Sequence, residues 1–245
     1  MLSFFKSKPC LKDLLSEDYI DIHSHLLPGI DDGAKNITET AKLATAFEEI
    51  GISQFITTPH INHFVWNNSP ETILKNSTET KLALENNNIK IPFLAAAEYF
   101  MDDWFEYHLK TEKLLTLKDN YVLVEMSYMN APAQLYKILF DLQVAGYIPV
   151  LAHPERYMFY HKNFGEYEKL KKAGCLFQLN LLALVGYYGE RINKIANQLL
   201  SKGMYEFTGT DVHHSKHIRS LNEKVKTDNI STLKEVIANN QFFKF

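Results

Sequence analysis

Cysteine is nearly missing from this chain: Cys10 and Cys175 are the only two in 245 residues. Two thiols far apart in sequence make no disulfide framework, so a reducing cytoplasm is the expected setting. An excess of positive charge is missing too. Lys and Arg number 26 against 29 Asp and Glu, a net charge of −3, and they are scattered, so nothing marks a nucleic-acid footprint. No stretch approaches the roughly 18 uncharged apolar residues of a membrane span, and no stable membrane insertion is expected. The opening stretch MLSFFKSKPCLKDLLSED lacks a signal peptide's continuous apolar centre and small-residue cleavage site. Residues 1–18 read instead as an amphipathic arm that packs on its own domain. Gly and Pro, at 10 and 8 residues, gather into no linker. With no repeat or low-complexity tract either, residues 19–245 are expected to form one domain.

What is present is an alternation. Hydrophobic residues make up 46% of the chain, enough for a sizeable core. Seven short runs rich in β-branched and apolar residues read as buried strands: 19–23, 54–58, 92–96, 121–126, 148–152, 176–180 and 205–209. Helical patterns lie between most of them. One opens at Asn36 as N-cap, with Glu39 three residues on, and closes at Gly51; a second starts at Pro70; a third runs from Pro132 to Gly146. Others fit 164–173, 189–202 and 231–239, and GYYGER reads as the start of the fifth of these helices, not as a phosphate loop. Strand alternating with helix argues for a parallel sheet with helices outside.

Each strand then ends in a residue that does not belong in a core: His23 and His25, His60, Glu98, Glu125, His153, Asn180, and Asp211 with His213. From His25 to Asp211 the spacings are 35, 38, 27, 28, 27 and 31 residues, each about one strand–helix unit. In a parallel barrel the C-terminal ends of the strands meet on one face, so residues this distant converge there. Several buried carboxylates without cations would be very costly, and divalent metals remove that cost. Residues i and i+2 of a strand share a face, so His23 and His25 can grip one ion together, with Asp21 pointing the same way. The loop DDG returns a carboxylate, Asp32 with Asp31 as the alternative, around a turn at Pro28 and Gly29. The candidates are His23, His25, Asp32, His60, Glu98, Glu125, His153, Asp211 and His213. These are too many for one ion and suit two or three. Mixed imidazole and carboxylate donors favour Mn, Fe or Zn over Ca or Mg. Three divalent ions set against four carboxylates leave a positive site, complementary to a dianion such as a phosphate monoester.

DIHSH, DDG, TTPH, AAE, VEMS, AHPERY and TGTDVHH closely resemble the polymerase and histidinol phosphatase (PHP) superfamily. Within it the match is to the bacterial manganese-dependent protein tyrosine phosphatases of capsule and exopolysaccharide loci. The resemblance runs from Tyr19 to the C-terminus and respects the order of every motif. It implies an α/β fold, a distorted (β/α)7 TIM-like barrel of the PHP type, with a trinuclear metal centre at the strand C-termini. Carried over by motif, the nine candidates would be ligands, with Glu125 as a bridge. Arg156 of HPERY would bind the substrate phosphate. A second arginine expected after the last histidine has Arg219 as its nearest match, one residue farther along than the pattern. The implied partner is a phosphotyrosine protein, a tyrosine autokinase of polysaccharide export, and the implied reaction is metal-assisted hydrolysis. The alternative is a small-molecule phosphomonoesterase of the histidinol-phosphatase type. Some relatives assemble through acidic and arginine residues on the first helix, but 36–51 has no arginine, so oligomeric state stays open.

Cysteine-based phosphate chemistry is excluded by spacing. It needs an arginine six residues after the thiolate, where Cys10 has Ser16 and Cys175 has Leu181. A general acid, where one is used, would come from His213, His214 or His217, the last two reading as surface residues. Phe64, Trp66, Tyr99, Phe100, Tyr128, Tyr157, Tyr187 and Tyr188 follow strand ends. They would either form a slot for a phenyl ring or close the rim.

Overall fold

Short apolar runs separated by amphipathic helices fold here into parallel ladders. The computed structural model describes residues 7–245. Its strands are β1 (Tyr19–Asp21), β2 (Ile52–Thr57), β3 (His60–Ile61), β4 (Phe93–Ala95), β5 (Glu98–Phe100), β6 (Tyr121–Glu125), β7 (Ile148–Ala152), β8 (Leu176–Asn180) and β9 (Phe207–Gly209). They pair in parallel in two sheets, β1-β2-β4 and β3-β5-β6-β7-β8-β9. The two sheets are one barrel wall in which two strands are interrupted. β2 and β3 are halves of one run, split where Pro59 offers no N–H to a ladder; β4 and β5 split at Ala96 and Ala97. The Ala96 N–H still donates to Thr57 O at 2.9 Å, and the Glu98 N–H to Pro59 O at 3.1 Å. Nine strands therefore occupy the seven barrel positions that the sequence pattern predicts.

The helices are α1 (Ile37–Glu49), α2 (Pro70–Asn86), α3 (Asp103–Thr111), α4 (Leu135–Val144), α5 (Gly165–Lys172), α6 (Glu190–Ser201), α7 (Ser215–Leu221) and α8 (Ile230–Asn239). Asn36 caps α1, its side chain accepting from the Glu39 N–H, but Glu39 reaches back to the Lys35 N–H and not to the cap itself. Pro70 opens α2 as expected, behind a reciprocal Ser69–Thr72 cap. α4 begins three residues after Pro132, which lies in the preceding turn. α3 and α7 have no counterpart among the expected helices.

Packing follows strand alternation. A smaller apolar cluster takes Ile20, Ile22, Ile56, Ala96, Leu123, Val150, Ala152 and Phe207 from six barrel positions and fills the lumen, with Phe243 beside them. The larger cluster joins the outer strand faces to the helices. Just past β1 and β9 the backbone joins the two, the Asp211 N–H donating to His23 O at 2.7 Å and the His25 N–H to Val212 O at 2.9 Å, and side chains join the strands themselves. The Thr208 N–H donates to Asn240 Oδ1 at 3.0 Å, and Asn240 Nδ2 donates to both Ile20 O and Thr208 O at 2.8 Å. Higher up, Asp21 accepts from the Thr210 N–H at 2.7 Å and its hydroxyl at 2.8 Å. Asp21 therefore closes the seam and does not share the site-facing side with His23. From Ser7 onward the arm packs on the domain: Leu11 and Leu14 are buried, and the Leu11 N–H donates to Glu223 O. The arm's first six residues lie outside the described residues. Among those described, no helix is long and apolar enough to cross a membrane.

Candidate metal centre

Two histidines just past β1 set the pattern. His23 Nδ1 lies 2.8 Å from Gln178 Oε1, and His25 Nδ1 lies 2.8 Å from Asp31 Oδ2. With Nδ1–H donating in each ring, Nε2 is the nitrogen each ring leaves for a metal, and neither Nε2 finds a hydrogen-bond partner despite full burial. The loop after His25 is tied back tightly. The Gly29 N–H, at φ +71°, donates to Ala34 O, and the Ala34 N–H donates to His25 O. Gly33 packs so closely on His25 that a Cβ there would lie 2.1 Å from the His25 carbonyl oxygen. Asp31 also accepts from the Gly33 and His60 N–H groups. Of the two adjacent aspartates, Asp31 thus orients His25, whereas Asp32 faces the other histidines. Its Oδ1 is 3.4 Å from His60 Nε2 and 3.5 Å from His213 Nε2.

The remaining candidates come from other strand ends. Glu98 stands at the centre. Its Oε1 is 3.1 Å from His153 Nε2; its Oε2 is 3.2 Å from His23 Nε2, 3.5 Å from His25 Nε2 and 3.2 Å from His60 Nδ1. Glu125, at the end of β6, reaches His60 Nδ1 at 3.1 Å. His153 (φ +38°) and Asp211 (φ +51°) both take left-handed backbone conformations, a strain that non-glycine residues keep where surrounding structure enforces it. Asp211 Oδ1 lies 3.4 to 3.5 Å from His23, His25 and His213. All nine candidates fall into four overlapping groups: His25, Asp32, His60 and His213; His23, Glu98 and His153; His23, His25 and Asp211; His60, Glu98 and Glu125. Glu98 is the carboxylate that two groups share, and Glu125 joins it in one of them.

Charge is balanced here by proximity. Burial alone would lower the His25 pKa, but the Asp31 charge beside it prevails and pushes it up to about 10. His60 rises in the same way: burial opposes it, and Glu125 and Glu98 override it. Burial would raise Glu98, yet His23 and His60 hold it well below the usual carboxylate range. The orphaned buried atoms His23 Nε2, His25 Nε2, His60 Nδ1 and Glu98 Oε2 are the donor set that divalent cations take. The residues present therefore fit a metal centre.

A cavity of about 470 Å³ opens above these groups, lined by all the candidate residues except His23 and His25, together with Trp66, Phe100, Tyr128, Met129 and Arg156. Arg156 Nη1 donates to Asp211 Oδ2 at 2.7 Å. Its guanidinium carbon is 4.6 Å from the Tyr128 ring centre and 4.3 Å from that of Tyr188, a pair of cation–π contacts. Asp211 Oδ2 also accepts from Asn180 Nδ2 at 2.8 Å. Of the expected aromatic slot, Trp66, Phe100 and Tyr128 reach the cavity. Tyr99 and Tyr157 are buried instead, their hydroxyls accepting from the Leu115 and Met126 N–H groups.

Two expectations need correction. Arg219 is exposed on α7 and does not line the cavity, because that helix buries His217, Ile218 and Leu221. His217 is buried and not at the surface, and burial pushes its pKa down to about 3. Gln178 went unforeseen as the partner of His23; its inward place two residues before Asn180 was the available signal. Cys175 is buried, which pushes its thiol up to about 12, so no thiolate forms near neutral pH.

A family model described as "Capsular polysaccharide synthesis, CpsB/CapC" matches residues 19–232. The chain is 31% identical over 198 residues to the tyrosine-protein phosphatase YwqE of Bacillus subtilis, covering 80% of this chain and 78% of that one. It is 27% identical over 202 residues to the tyrosine-protein phosphatase CpsB of Streptococcus pneumoniae, covering 80% and 83%. Among solved structures it is similar to one from a study of B. subtilis YwqE and S. pneumoniae CpsB, described as "unique metal-dependent tyrosine phosphatases". That likeness has a TM-score of 0.77 at 29% identity, over 92% of this chain and 88% of the other. A lactonase from Listeria monocytogenes, at TM-score 0.54 and 10% identity, shares the fold.

Proposed function

The chain belongs to the CpsB/CapC capsular polysaccharide synthesis family, and from that premise we propose that it is a metal-dependent protein tyrosine phosphatase. The observation that carries this reading is the set of orphaned buried imidazole nitrogens and carboxylate oxygens converging beneath one cavity beside Arg156. His23, His25, Asp32, His60, Glu98, Glu125, His153, Asp211 and His213 would hold two or three divalent ions. Bound there, such ions acidify water and neutralise phosphoryl charge. Manganese suits this nitrogen and oxygen donor set, as do iron and zinc.

The protein's own groups do the rest. Asp31 and Gln178 fix the tautomers of His25 and His23. Arg156, held by Tyr128 and Tyr188, presents a cation to the phosphoryl oxygens. The leaving phenol has a pKa of about 10, so it departs with less help from a proton donor than an alkyl alcohol needs. The substrate protein we infer is a tyrosine autokinase of polysaccharide export; the family description supports the polysaccharide setting.

Turnover of a phosphotyrosine peptide and of histidinol phosphate, each with Mn, Zn or EDTA, tests the reading. The peptide should be hydrolysed with Mn and spared with EDTA. Rapid turnover of histidinol phosphate with none of the peptide would replace this reading with a small-molecule phosphomonoesterase.

A further inference from the structure

The outer wall of the cavity is built by two loops that carry no carboxylate, lysine or arginine, 62–68 and 126–133. The first is a tight turn. The Trp66 and Val65 N–H groups donate to Asn62 O at 2.8 and 3.2 Å, and the Phe64 N–H donates to Asn62 Oδ1 at 3.2 Å. Its feet, Asn62 and Trp66, line the cavity, while its tip holds Phe64 and Val65 out at 78% and 63% exposure. The second loop lines the cavity with Met126, Ser127, Tyr128 and Met129, the last 83% exposed. Aromatic rings extend the surface away from the mouth. The His63 ring lies 5.1 Å from Phe64 and stacks on Trp104 of α3 at 3.8 Å, and Tyr107 follows at 6.0 Å. Apolar groups held outward on a hydrogen-bonded turn mark an interaction surface.

We propose that this rim docks the polypeptide segment flanking the phosphotyrosine and selects uncharged, apolar or aromatic neighbours. The proposal rests on the phosphotyrosine reading above. Two features name the occupant. The surface is continuous with the cavity that takes the phosphorylated side chain, so what lies on it is the chain attached to that side chain. The loops offer no opposite charge to a charged flanking residue, which would lose hydration there without a partner.

The test compares free phosphotyrosine with phosphotyrosine peptides whose neighbours are Leu and Phe, or Asp and Lys. It uses the manganese-loaded wild type and a Phe64→Ser, Val65→Ser double variant, whose altered residues are exposed and do not line the cavity. The wild type should prefer the apolar peptide. The double variant should lose about tenfold in kcat/KM on that peptide, as expected for two lost apolar contacts, with free phosphotyrosine unchanged. Trp104→Ser, on α3, should lower the same peptide's kcat/KM independently. Equal turnover of all peptides by the wild type, or equal losses on peptide and free phosphotyrosine, would overturn the rim while leaving the phosphatase reading intact. Failure to hydrolyse any of the peptides or free phosphotyrosine would overturn that reading itself.

Discussion

His23 shows how much of the centre depends on a residue that never faces the cavity. Gln178 Oε1 accepts from the His23 Nδ1–H at 2.8 Å, and the residue is itself fixed by its Nε2–H donating to Leu179 O. Only that tautomer aims a lone pair at Glu98 and Asp211. Gln178→Leu should therefore weaken manganese binding by about 10- to 100-fold in a calorimetric titration, and Gln178→Glu, which keeps an acceptor, should retain most of it. Wild-type affinity in the leucine variant would remove Gln178 from the centre. Arg156 depends on its neighbours in a similar way. Cation–π contacts are worth roughly 0.5–2 kcal/mol, so Tyr188→Leu should raise KM for phosphotyrosine several-fold while Tyr188→Phe leaves it near wild type. Equal KM values for the two variants would show that the ring does not hold the arginine. The nine candidate residues were legible because their spacing repeats the length of a strand–helix unit. Gln178 and the separate duties of Asp31 and Asp32 were not, because they are set by contacts between strands distant in sequence. Arg219 was misplaced because proximity in sequence says nothing about which side of α7 is buried.

Strands and helices were legible where composition and caps agreed. β7 and β8 match the expected bounds, α1 begins at the cap foreseen, and α2 begins at Pro70 as expected. Only Pro59 hinted at the break between β2 and β3, and the break between β4 and β5 was hidden because the apolar run FLAAA continues into it. α3, DWFEYHLKT, is rich in aromatics with no clear apolar period and gave no helical signal. The seam between β9 and β1 was equally invisible, because it rests on contacts between residues from opposite ends of the chain. Asn240 satisfies the Thr208 N–H and the carbonyls of Ile20 and Thr208, all in the interior. An unsatisfied buried polar group costs about 1–3 kcal/mol. Asn240→Leu should thus lower the unfolding free energy by at least about that amount, read as a lower denaturant midpoint with an unchanged slope. An unchanged midpoint would mean that the barrel closes without this bridge.

Over the whole molecule the centre links stability to pH with one sign when stripped of metal and the opposite sign when loaded. In the stripped protein His25 titrates at about 10, against about 6.5 when unfolded. Between those values the folded chain binds more protons than the unfolded one, so stability falls as pH rises through that window. His23 and His60 shift in the same direction. Glu98 and Asp211 shift downward; their contribution is lost only under acid conditions and stays constant near neutrality. Metal reverses the trend, because a ligating imidazole must be neutral and each ion displaces protons as it binds. An ion at 100 times its dissociation constant adds about 2.7 kcal/mol, roughly 5–10 °C in melting temperature for a chain of this size. The melting temperature of the manganese-loaded protein should therefore exceed that of the EDTA-stripped protein by a margin that widens from about pH 6 to about pH 8. Differential scanning fluorimetry at several pH values reads the margin directly. His23→Ala should shrink it at every pH, and Arg219→Ala, outside the cavity, should leave it unchanged. A margin that stays constant or narrows over this range would mean that the metal is not held by these imidazoles.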